Sequence, residues 1–175
     1  PRAHAVAYVM MAFRIAWFKV YHPLAFYAAY FSIRAKAFDL RIMTGGLKTQ
    51  LTEFNRIKAL DRAASPKDKD LMSALEVSME MYQRGYRFIN VDIQHSEARR
   101  FSIKDGALLP PFLAIDSLGE TVADAIVEER NERPFTSLKD LQRRCKVSNT
   151  IIDLMKDLKC CGELPEDEQM SLFGA

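Results

Sequence analysis

Residues 112–130, FLAIDSLGETVADAIVEER, decide how this 175-residue chain is read. The stretch starts apolar, passes through Asp116-Ser117, and reaches Gly119, after which Ala123 and Ile126 recur at helical spacing. That order predicts a tight turn opening directly into a helix. A glycine there lets a foreign backbone come close, and the first amides of the helix, lacking intrahelical partners, attract an anion. Thr121 adds a hydroxyl donor, and Ala123 is small where the helix must approach a neighbour. An ordinary loop-to-helix connection has the same appearance, so the stretch alone leaves both readings open.

A second helical pair follows. Phe135-Thr-Ser-Leu-Lys-Asp-Leu predicts a capped helix, and Ser148 caps another from Asn149 to Lys159, ended by Gly162. Ile152, Met155 and Leu158 mark its inner face. Ile115 to Gly119, with Ala123 and Ile126, resembles the helix-hairpin-helix motif, departing from it where Ser117 replaces the usual first glycine. Two such hairpins side by side imply a module that grips duplex DNA through phosphates of both strands. The expected contacts are Ser117, Gly119, Glu120, Thr121, Ser148 and Asn149. Such contacts position a protein on DNA and carry no sequence information.

Toward the N-terminus, residues 4–21 read as a buried helix, apolar on most faces. Pro23 stops it and opens a second helix to about Arg34, whose Phe26, Tyr27, Tyr30 and Phe31 read as core packing, with nucleobase stacking as the alternative. Arg14 and Lys19 interrupt the apolar pattern. Burying either unpaired is expensive, so each requires an acid, a carbonyl or a DNA phosphate. After the break at Thr44-Gly45-Gly46 come a helix over about 49–60 and another begun by the Ser65-Pro66-x-Asp68 cap and ended by Gly85. Tyr86 to Ile93 alternates as a strand, and Asp105-Gly106 marks a hairpin turn. The fold class is α+β, predominantly helical.

The net charge of +2 conceals an asymmetry. Residues 1–60 carry nine Lys or Arg against Asp39 and Glu53, which suits either phosphate contact or a solvated basic face. Cys145, Cys160 and Cys161 form neither a zinc ligand set nor a secreted disulfide framework, and they read as reduced, intracellular thiols. Arg14, Lys19, His22 and Pro23 interrupt the N-terminal run short of the ~20 apolar residues of a span, so no membrane is expected.

HAVAYVMMAFRIAWFKVYHPLAFYAAYFS, residues 4–32, resembles the distal fingers of bacterial replicative DNA polymerases of the C family through His4, Ala5, Tyr8, Lys19, Pro23, Phe26 or Tyr27, and Ala29. Residues 101–130 are similar to that family's join between fingers and duplex-binding domain. QMSLF at 169–173 is similar to its sliding-clamp-binding pentapeptide, and a position after the hairpin module is that of the PolC type. The resemblance implies distal fingers over 1–64, a connecting helix with strand and hairpin over 65–111, a helix-hairpin-helix module over 112–164, and a flexible clamp-binding tail over 165–175. Duplex contact is the expected role of Arg14 and Lys19, and the resemblance implies a place near the nucleotide pocket for His4 and clamp contacts at Gln169, Met170, Ser171, Leu172 and Phe173.

The further partners implied are the upstream palm and fingers of the same polypeptide, in a bacterial cytoplasm at the nucleoid. The catalytic carboxylates and their Mg²⁺ belong to the palm, so this segment alone is expected to bind no cofactor and to be inactive. The competing readings are a stand-alone helix-hairpin-helix protein of repair or recombination, and an interaction module with a partner other than the clamp.

Overall fold

The structure, a computed structural model, describes residues 2–167. It is 64% helical with one two-stranded antiparallel sheet. The contacts divide it into two compact units, Pro1–Phe88 with Ile103–Leu108, and Ile89–Ser102 with Leu109–Ala175.

The first unit opens with α1 (Arg2–Tyr21) and α2 (Pro23–Ala29), and α2 runs on into a π-helical turn at Tyr30–Arg34. Next come α3 (Leu40–Thr44), capped by Asp39, α4 (Gly46–Leu60) and α5 (Pro66–Gln83). Ser65 and Asp68 form a reciprocal capping box on α5, and Gly85 terminates it at a φ of 86°, both as the sequence predicts. Helices α4 and α5 pack together around Ile57, Leu71, Leu75 and Met81. Between them the Gln50 amide donates to Met43 O at 2.8 Å and accepts from Ser78 Oγ at 2.7 Å, so this buried polar pair is satisfied. Tyr27 and Phe31 are buried, in keeping with core packing. Phe31, Phe38 and Phe88 meet edge to face, with Phe31 and Phe88 centroids 4.9 Å apart.

Two expectations for this unit fail. Helix α1 is not a buried helix: none of its residues is buried, and Tyr8, Phe13 and Val20 are each more than 60% exposed. Its apolar residues lie on every face, whereas within the unit α1 packs chiefly on α2, with Lys19 near its end paired to Glu80. By length and composition α1 does reach a membrane span, at a mean hydropathy of 1.2, although Arg2, Arg14 and Lys19 lie in it. The expected strand over 86–93 is absent too. Its only ladder contact among the described residues is a single parallel bridge from Phe88 to Leu108, and beyond Phe88 the chain leaves the unit. The predicted hairpin does form, as β1 (Ser102–Lys104) and β2 (Ala107–Leu109), with Asp105 and Gly106 both at positive φ.

The second unit contains α6 (Glu120–Glu132), α7 (Leu138–Cys145) and α8 (Asn149–Asp157). Helix α8 ends two residues earlier than expected, and left-handed Lys159 turns the chain before Gly162 does. Phe112, Ile115, Ile126, Leu141 and Met155 form the core. The three thiols are buried and free, and burial pushes Cys160 up to about 12 and Cys145 and Cys161 up to about 11, so none is a ready nucleophile.

Candidate nucleic-acid interface

In the second unit the chain makes the same turn twice. Ser117, Leu118 and Gly119 lead into α6 as Lys146, Val147 and Ser148 lead into α8. The first residue of each triplet is left-handed, with φ of 63° at Ser117 and 57° at Lys146. The second, Leu118 or Val147, is buried and anchors the turn. The third, Gly119 or Ser148, is the extended N-cap. Four and seven residues past each cap, Ala123 and Ile126 in α6 match Ile152 and Met155 in α8, all buried. This repetition is legible in a self-comparison of the sequence. Lys146, the counterpart of Ser117, is the residue that a search for glycine passes over.

The helix starts differ in how their amides are satisfied. In α7 the Ser137 side chain accepts from Asp140 N, while Leu138 N and Lys139 N donate to Pro165 O and Glu166 O at 2.9 and 3.2 Å. Those same bonds, with ion pairs from Lys156 to Glu166 and from Lys139 to Asp167, tie down the first three residues of the expected tail. In α8 the Ser148 hydroxyl accepts from Ile151 N at 3.3 Å. Helix α6 begins on Gly119 with no side-chain cap, leaving its first amides to be satisfied from outside the helix.

Gly119 itself has an ordinary φ of −75°, and a Cβ built on it would meet no atom within 4 Å. Neither conformation nor internal packing therefore requires a glycine here. Ser117, Glu120 and Thr121 are exposed around it. Ser148 and Asn149 are exposed at the second turn, where the Gln142 amide donates to Asn149 Oδ1.

One residue missed in the sequence joins the first turn. The Arg99 guanidinium reaches Glu120, the first residue of α6, and makes a two-pronged contact with Asp124 one turn on. Its hydrogen bonds hold the Asp124 carboxyl below its usual range. The loop carrying Arg99 is itself fixed. Phe112 N and Leu113 N donate to Glu97 O and Ala98 O at 2.9 and 3.1 Å, Ser96 Oγ donates to Pro110 O, and Arg130 donates to Ile93 O and Ser96 O. No single-position signal marks Arg99, because the pairing depends on a fold that returns residue 99 to the start of α6.

The remaining candidates belong to the first unit. Lys19 Nζ pairs with Glu80 at 2.6 Å and lies 5.3 Å from the Phe26 ring centre, so its charge already has a protein partner. Arg84 completes the corner, donating to Tyr27 Oη at 3.0 Å and to Lys19 O at 2.9 Å. Arg14 is exposed on α1, and His4 stands edge-on to Tyr8 with ring centroids 4.4 Å apart. Gln169, Met170, Ser171, Leu172 and Phe173 lie outside the described residues. Among the described residues no group of three or more His, Cys, Asp or Glu side chains is placed to hold a metal ion.

A family model described as "Helix-hairpin-helix motif" matches residues 85–169, which include both turns. A relative from Caldanaerobacter subterraneus subsp. tengcongensis, "DNA polymerase III PolC-type", is 47% identical over 173 residues, 99% of this chain. Proteins of the same name from Streptococcus pyogenes serotype M12 and Streptococcus suis are 46% and 47% identical, again over 99% of the chain. The chain spans about 12% of the length of each of these relatives.

Proposed function

We propose, from the premise that the chain belongs as a segment to the PolC-type DNA polymerase III family, that it is the duplex-holding and clamp-tethering part of a replicative DNA-directed DNA polymerase. The two hairpin turns take backbone phosphates of the primer–template, without regard to sequence. The first turn takes its phosphate on the open amides of α6. Nucleotidyl transfer and its magnesium ions belong to another part of the parent polypeptide, and the segment alone is inactive.

Gly119 is the observation that carries the duplex reading. It is a glycine the fold does not need, set over helix amides with no side-chain cap, and its missing side chain leaves room for an incoming phosphate. Replacing it by valine tests this. In the full-length polymerase, Gly119→Val is expected to fold normally and to weaken duplex affinity roughly tenfold, the loss of about one phosphate contact with its neighbours. Unchanged affinity rejects the reading.

The bare α1 is taken as the face that meets the remainder of the polypeptide. Its exposed apolar side chains on all sides, in a chain of one-eighth its relatives' length, support that reading over a free surface helix. The sequence Gln169 to Phe173 is taken as the tether. Burying Leu172 and Phe173 in a clamp pocket contributes about 1.5–3 kcal/mol each, so the peptide is weak alone but persistent once DNA holds the partners together at an effective concentration on the order of millimolar. Deletion of 169–173 is expected to abolish clamp capture while leaving duplex affinity unchanged. Retained capture rejects the tether.

A further inference from the structure

We propose that Arg99 is a positioning residue for the first hairpin turn, neutralising Glu120 and Asp124 so that the start of α6 can accept a phosphate. This rests on the reading that the turn binds duplex DNA. The difficulty Arg99 resolves is electrostatic. Acids in the first turn suit a helix, since they face the positive end of its dipole. Glu120 and Asp124 lie four residues apart, hence on one face, with Glu120 at the helix start that the proposed phosphate would approach. Two unscreened carboxylates about 6 Å from a phosphate cost roughly a tenfold loss of affinity even at the dielectric of water. Arg99 contacts both, and its backbone is tied in place through Glu97, Ala98 and Ser96.

The arrangement differs from an ordinary surface ion pair in two ways. One cation serves two acids. The residue supplying it directly follows Glu97 and Ala98, whose carbonyls accept from Phe112 N and Leu113 N in the segment that leads into the same hairpin. Arg99 is half exposed, so it shields the acids without being withdrawn from the surface the DNA would occupy.

The test is a charge-rescue series in the full-length polymerase, measured as duplex affinity at fixed salt. Arg99→Ala is expected to weaken binding about tenfold or more, because two acids are left facing the phosphate. Adding Glu120→Gln and Asp124→Asn to that variant is expected to restore affinity to within about twofold of the parent. A triple variant as weak as Arg99→Ala means that Arg99 grips the DNA itself, and overturns the proposal. So does an Arg99→Ala variant that binds like the parent while Gly119→Val binds poorly. If Gly119→Val also binds like the parent, the duplex reading of the turn fails first and the proposal fails with it.

Discussion

Ser117 and Lys146 hold the same left-handed backbone conformation at equivalent points of two successive hairpins, with φ of 63° and 57°. A residue with a Cβ is strained there by about 1 kcal/mol, and glycine is not. Ser117→Gly and Lys146→Gly are therefore each expected to raise stability by about 0.5–1 kcal/mol, read as a higher denaturant midpoint at unchanged slope. A β-branched residue at either site is expected to lower it.

Tyr27 Oη lies between Arg84 at 3.0 Å and Glu80 at 3.3 Å, on a side chain with no exposed surface. Burial leads in raising its hydroxyl above the ordinary value, so it remains the neutral donor. Tyr27→Phe keeps the packing but removes one of the partners of Arg84, which retains Lys19 O and Glu80, and is expected to cost about 1 kcal/mol in chemical denaturation. Glu80→Gln breaks the Lys19 pair, but both partners are more than one-third exposed, so less than about 1 kcal/mol is expected.

Asp140 is buried and accepts from Arg143 at 2.8 Å, from Arg133 at 3.2 Å, and from Thr136 N and Arg144 at 3.3 Å. Burial alone would raise its carboxyl, but the bonds from Arg143, Thr136 N–H and Arg144 outweigh it and hold the group below its ordinary range. A depressed folded value stabilises above the unfolded value, about 3.9, and that contribution disappears as pH falls through the folded value. Asp140→Asn is thus expected to lose about 2 kcal/mol at neutral pH and to converge with the parent in acid. Thermal midpoints of both proteins from pH 7 to pH 2 check this.

The exposed stripe of α1 gives a prediction about association. Val6, Phe13 and Val20 lie two helical turns apart in succession and are 58%, 73% and 61% exposed. The isolated segment is expected to self-associate through them, because a patch of that size rarely stays bare in water. Replacing all three by glutamine is expected to weaken that association in sedimentation, with an unchanged unfolding midpoint, since none is buried. A lower midpoint would contradict the open placement of α1.

What was legible in the sequence follows from the range of each signal. The Ser65 to Asp68 box, the Asp105-Gly106 turn and the Ser137 and Ser148 caps rest on neighbours within four residues, and they stand where local chemistry puts them. The strand expected at 86–93 had the right alternation, but its pairing depends on a partner that only the fold supplies, and the chain turns away after one bridge. Helix α1 was legible as a helix, whereas its burial was a statement about neighbours that hydropathy does not contain. The hairpin was legible through Gly119. Arg99 was not, because its meaning depends on carboxylates at 120 and 124.

If the hairpin turns hold DNA by its phosphates, duplex binding depends steeply on salt and not on sequence. Affinity of the full-length protein for two duplexes of unrelated sequence is measured from 50 to 300 mM salt, with Gly119→Val alongside. A steep linear fall of log affinity with log salt is expected, the same for both sequences, with Gly119→Val displaced to lower affinity at every salt concentration. Binding that is insensitive to salt, or that separates the two sequences, would contradict it.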